Sequence, residues 1–179
     1  MQEPIVLKVS KTITLEEQFN QIVNEYKERL YWHIRKIVID HDDTDDILQE
    51  TFVKVWNNLE GFREESSVYT WIYRIATNES LGFLRKKKRR SFFSLSNADY
   101  DLASKLDVYP FLEAERITHK LQKAILKLPT QQRLTFNMRY YDEMKFKDIA
   151  QILGKSEGAV KAHFHHARKK IETEMLDES

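Results

Sequence analysis

The chain has no cysteine among its 179 residues, only 3 prolines and 4 glycines, and no long apolar run. Without thiols there is no disulfide framework, no thiolate nucleophile and no cysteine-ligated zinc. Average usage would give on the order of 12 glycines and 9 prolines at this length. That shortfall, with 32% charged residues, points to long helices with few tight turns. No stretch nears the ~18 apolar residues of a membrane span, and the N-terminal MQEPIVLKVSK lacks the apolar core of a signal peptide. A soluble, cytoplasmic, all-α protein without direct membrane insertion is expected.

The net charge of +1 is unevenly placed: residues 1–112 carry 16 Lys/Arg against 18 Asp/Glu, and residues 113–179 carry 13 against 10. Five aspartates lie in DHDDTDD, residues 40–46, and six cations in RKKKRR, residues 85–90. Such local fields steer partners more than the total does.

Apolar residues at helical spacing predict one long helix through Leu15, Phe19, Ile22, Val23, Tyr26, Leu30, Ile34, Ile37 and Val38. A second runs through Ile47, Leu48, Thr51, Phe52, Val55, Trp56 and Leu59; the aspartate cluster caps its start and Gly61 ends it. A third, with Val68, Trp71, Ile72, Ile75 and Ala76, leads into the basic tract. These three stripes can bury one another in a helical domain over residues 1–92. Residues 93–112 read as a polar linker ending in Tyr109-Pro110. A smaller helical domain, residues 113–179, follows, with a stripe from Leu112 to Leu128 and a further helix that Thr130 can cap. The expected architecture is two small helical bundles joined by a linker.

In FKDIAQILGKSEGAVKAHFHHARKKI, Ala150, Gly154 and Val160 have helix-turn-helix spacing. A small residue lets two helices approach, glycine permits the left-handed turn, and a branched side chain anchors the second helix. Ser156 can cap that helix, with Val160, Phe164, Ala167 and Ile171 inward and Glu157, Lys161, His165, Arg168 and Lys169 outward. Such a helix can lie in the major groove while its cations neutralise phosphates; an ordinary helix pair with a solvated charged face is the plainer reading. The basic tract ends VYTWIYRIATNESLGFLRKKKRR, in which Arg74, Asn78 and Arg85 fall near one face. Tyr69, Trp71, Tyr73 and Phe83 suit a core, or, if exposed, a platform for unpaired bases.

Together these residues resemble the extracytoplasmic-function sigma factors, two-domain promoter-recognition subunits of bacterial RNA polymerase. DDILQETFVKVW, then TWIYRIATN with the basic tract, resembles the family's region 2, and LPTQQRLTFNMRYYDEMKFKDIAQILGKSEGAVKAHFHHARKKI resembles its region 4. The resemblance implies that Asp46, Gln49 and Glu50 contact the β′ clamp helices of core RNA polymerase, with Phe52 in the core and the β subunit also engaged. It implies that GFREESSVY, residues 61–69, captures a flipped base of the minus-ten element, giving roles to Phe62, Arg63, Ser66 and Tyr69. Tyr73, Arg74, Asn78, Arg85 and Lys86 would read and grip that element's upstream edge. Lys155, Lys161, Ala162, His163, His165, His166, Arg168 and Lys169 would face the minus-thirty-five element of promoter DNA. An anti-sigma factor is implied as a further partner, with no small-molecule substrate.

Where the family commonly has Thr, Ser and two arginines, this chain has Ala159, Ala162, His163 and His166. Neutral histidine cannot make arginine's bidentate contact to guanine, so altered base preference is expected, with affinity rising as pH falls through the histidine range. As a metal site, His163 and His166 lack a third ligand, and DHDDTDD lacks the glycine of a calcium loop. No phosphate loop or linked catalytic motif argues for an enzyme or a cofactor. The alternative is a helix-turn-helix regulator that binds DNA without polymerase, for which DDILQETFVKVW would have no use.

Overall fold

Thr14 and Glu17 start the first helix with a reciprocal cap: the Glu17 amide donates to Thr14 Oγ1 at 3.2 Å and the Thr14 amide to Glu17 Oε2 at 2.8 Å. The computed structural model describes residues 13–63, 66–93 and 116–177, all its regular elements being helices. Helix α1, Leu15–Val38, ends on Ile39 at φ 68, whose amide donates to the Arg35 carbonyl at 2.9 Å. Asp40 caps α2, His41–Leu59, by accepting from the Asp43 amide, as the aspartate cluster suggests. Ser67 Oγ accepts from the Thr70 amide at the start of α3, Val68–Phe93, a single rod of 26 residues.

Four shorter helices follow: α4, Arg116–Leu126; α5, Thr130–Tyr140; α6, Phe146–Leu153; and α7, Glu157–Asp177. The expected cap on α5 is displaced. Pro129 takes the cap position with an extended backbone, and Thr130 is already helical, because the Arg133 amide bonds to the Pro129 carbonyl. Proline needs no amide partner there, so the helix starts one residue early. The expected linker lies outside the described residues apart from Phe93, which ends α3. Among the described residues no helix is long and apolar enough to cross a membrane.

Helices α1 to α3 enclose Leu30, Ile34, Val38, Val55, Ile72 and Ala76, all nearly devoid of exposure. Burying each large aliphatic contributes about 1.5–3 kcal/mol before the entropy cost of ordering it. The same core continues into Leu134, Met138, Met144, Ile149, Ile152 and Val160, because α6 lies on α3 and α5 meets α1. A smaller core of Ala124, Ile125, Leu128, Phe136, Ala167 and Ile171 joins α4, α5 and α7. Trp56, expected on the inner stripe of α2, is instead 41% exposed. The stripe turns past it, leaving Val55 fully buried and the indole edge-on to Phe19 with ring centres 5.1 Å apart.

Candidate nucleic-acid interface

Helical geometry sets Asp46, Gln49 and Glu50 on one face of α2, and all three are exposed. Val53, 55% exposed, and Trp56 extend that face with apolar surface. The sequence reading supplies its polar half; the apolar half appears only once the tilt of α2 on α1 is known.

Between α2 and α3, Phe62 is half-buried with its ring 4.8 Å from Trp71, while Arg63 is exposed and Ser66 half-buried. On α3, Arg74, Asn78, Arg85 and Lys86 are exposed along the side opposite the core. Lys87 turns back to pair with Asp43 at 2.5 Å, tying the basic end of α3 to the acidic start of α2. The aromatic platform is not open. Tyr73 is 3% exposed, Tyr69 half-buried, and their rings lie 4.4 Å apart. Burial pushes both phenols far above their ordinary range, with the nearby Asp142 adding to the rise, so both are neutral. Tyr73 is therefore out of reach of DNA in this arrangement, since α1 and the α5–α6 turn leave it no free face.

The helix-turn-helix takes its expected shape. Gly154 closes α6 at φ 62, a left-handed conformation that L side chains resist, and Ser156 Oγ accepts from the Ala159 amide at 3.2 Å. Val160 and Ala167 are fully buried, and Phe164 packs between Phe136 and Phe146 at 5.9 and 5.6 Å. Outward stand Lys155, Lys161, Ala162, His165, His166, Arg168 and Lys169, with His163 half-exposed at the edge. Lys161 pairs with Glu157 at 2.7 Å and Arg168 with Glu172 at 2.9 Å, so two cations are held along the helix face. No group of three or more His, Asp or Glu side chains among the described residues is arranged to hold a metal ion.

The Sigma-70 region 2 family model matches residues 22–90, and the Sigma-70 region 4 family model matches residues 118–171. The chain is 28% identical over 173 residues to the ECF RNA polymerase sigma factor SigW of Bacillus subtilis, spanning 90% of this chain and 91% of that one. The ECF RNA polymerase sigma-E factor of Haemophilus influenzae is likewise 28% identical, over 88% of this chain and 87% of its own. The chain belongs to the extracytoplasmic-function sigma factors. Its fold is shared by RpoE of Bartonella quintana, solved with the anti-sigma factor NepR, at a TM-score of 0.70 and 22% identity over 89% of this chain and 97% of that one. CnrH, solved with the cytosolic domain of CnrY, gives 0.69 at 23% identity, covering 92% and 91%. This sigma factor thus acts in transcription initiation, and α1 to α3 hold its region 2 and α4 to α7 its region 4.

Sequence reasoning missed four residues that meet beside Tyr73: His33, Lys36, Thr77 and Asp142. His33 in α1 is 1% exposed. Its Nδ1 lies 2.9 Å from Asp142 Oδ2, and its Nε2 lies 2.9 Å from Thr77 Oγ1. Lys36 pairs with the other Asp142 oxygen. One signal was present: His33 stands three residues from Leu30 and four from Ile37, within the apolar stripe.

Proposed function

We propose that this sigma factor binds core RNA polymerase through the Asp46, Gln49 and Glu50 face of α2 and directs initiation at promoters whose two elements it reads with different helices. In this reading Arg63, Arg74, Asn78, Arg85 and Lys86 engage the melted minus-ten strand, and α7 enters the major groove at the minus-thirty-five element. The observation that carries it is the outward face of α7: after a left-handed glycine turn, a buried Val160 anchors a helix whose cations, with His165 and His166, are turned to solvent and whose His163 stands at the edge of that face. Phosphate contacts position such a helix, and His163, His165 and His166 lie where base edges would be read.

The protein works as a cytoplasmic initiation factor and catalyses no step itself. RpoE of Bartonella quintana, which shares this fold, is solved with the anti-sigma factor NepR, which supports an anti-sigma partner here too. In vitro transcription with core polymerase and a library of promoter fragments tests the reading. Initiation at fragments carrying both elements is expected, whereas tight duplex binding without polymerase and no initiation would replace it with a plain helix-turn-helix regulator.

A further inference from the structure

The two halves of the chain do not sit apart; a buried polar contact clasps them. Asp142, in the turn between α5 and α6, projects onto α1 and α3, its side chain 9% exposed. An ionised carboxylate only accepts, so His33 Nδ1 donates to Oδ2 at 2.9 Å while Lys36 holds Oδ1. The far side of the same imidazole is fixed by Thr77 Oγ1 at 2.9 Å, whose hydroxyl lies 2.7 Å from the Tyr73 carbonyl. Asn137 Nδ2 reaches the Lys36 carbonyl at 3.5 Å, and the Lys36 ammonium lies 5.3 Å above the Tyr141 ring. Every one of these groups in α5 and its turn belongs to region 4, and every partner belongs to region 2.

This arrangement conflicts with the proposed work of the chain. Elements named for positions ten and thirty-five lie about 25 base pairs apart, which at about 3.4 Å per pair is about 85 Å of duplex. A compact chain of this length has a radius of gyration of about 16 Å. With α6 packed on α3, the readers of both elements cannot be engaged together, and Tyr73 is covered. The α5–α7 unit must swing away from α1 to α3.

We propose that Asp142, seated between His33 and Lys36, is an autoinhibitory latch that holds this sigma factor closed, so that its release limits association with core polymerase. The proposal rests on the sigma-factor reading. An apolar contact alone would bind the halves without fixing a register, whereas a carboxylate matched to two cation-capable groups, one of them held from behind by Thr77, defines one closed pose. Losing it leaves His33 without its acceptor in a buried site, which drives the halves apart.

The chain has no cysteine, so dyes on Asn57→Cys and Lys170→Cys, both exposed positions, report the separation of the halves by energy transfer. With Asp142→Asn or Asp142→Ala we expect lower transfer efficiency and up to about tenfold tighter binding to core polymerase, the gain available when closed protein is about nine-tenths of the total. A thiol-cleavable bridge between Lys36→Cys and Tyr141→Cys should block that binding until it is cleaved, which tests closure without removing Asp142. Unchanged transfer in both Asp142 variants would overturn the latch. So would opening without tighter binding, or a bridged protein that binds as well as the cleaved one. Wild-type protein that never binds polymerase would sink the sigma-factor reading instead, and transfer efficiency would still show whether Asp142 holds the halves together.

Discussion

His33 and Asp142 are 109 residues apart in the chain and joined at 2.9 Å, nitrogen to carboxylate, in a site where the imidazole is 1% exposed. The contact turns two helical units into one folded body, and it does so with groups whose charge can be changed.

Acid should open that body. Burial pushes the Asp142 carboxyl up, but the His33 hydrogen bond, the His33 charge and the Lys36 ammonium outweigh burial and hold it below its ordinary value. Facing it are His33 and Lys36 from α1 and Tyr69 and Tyr73 from α3, and those tyrosines in turn feel Arg29 from α1 and, at Tyr69, Asp148 from α6. A carboxyl depressed in the closed state stabilises closure above its ordinary pKa and loses that contribution as pH falls through the depressed value. Small-angle scattering should therefore show the wild-type protein expanding as pH drops below about 4, with Asp142→Asn already expanded and flat over that window. A wild-type radius constant down to the onset of unfolding would contradict this.

Glu143, beside the latch, holds φ 53 without being glycine. Left-handed backbone costs an L side chain about 1–2 kcal/mol, of which glycine returns part to unfolded-chain freedom. Glu143→Gly should raise the melting temperature by about 2–4 °C, read by circular dichroism. A lower midpoint would mean that the exposed glutamate makes up the strain elsewhere.

Ile149 in α6 is fully buried in the core shared by both halves. Truncation to alanine should cost about 2–5 kcal/mol, the range for aliphatic side chains cut in packed cores. Denaturant unfolding is the measurement. Because the same side chain supports the helix before the turn, minus-thirty-five binding should weaken with it.

His163→Arg with His166→Arg puts two permanent cations on α7. If both reach phosphate, the logarithmic salt dependence of promoter binding by the holoenzyme should steepen by about 0.9 per added contact. Filter binding at several salt concentrations measures the slope, and an unchanged slope would place those positions away from the backbone.

Asp46→Arg should weaken association with core polymerase while shifting stability by no more than about 0.5 kcal/mol, as expected for an exposed position. Native gel titration and a thermal melt separate the two effects. Equal polymerase affinity would remove α2 from the proposed contact.

Local chemistry made much of this legible. The helix-turn-helix followed from Gly154, Ser156 and Val160 because turn, cap and anchor lie within seven residues and answer to backbone sterics. The all-helical class followed from spacing and from scarce glycine and proline. Thr130 misled because a good capping side chain was outranked by the proline before it. Trp56 misled because a stripe on a helix drifts, and its last turn is decided by the tilt of the neighbour. The closure onto Asp142 was illegible: the cluster joins three distant segments, α1, α3 and the α5–α6 turn, and nothing in the periodicity of one helix names the turn that will meet it. His33 was the nearest thing to a clue, a polar group in an apolar stripe that needed an acceptor from somewhere.

The unbroken course of α3 has a metric consequence. Asn78 and Arg85 sit on a continuous rod with a rise of about 1.5 Å per residue, so about 10 Å of axis separates them, close to three stacked base pairs. Reader and clamp on the minus-ten strand would then be marks on one ruler. A residue inserted between them would lengthen it by only about 1.5 Å but turn the basic end by about 100°, swinging Arg85 and Lys86 away from the strand with no loop between to absorb the error.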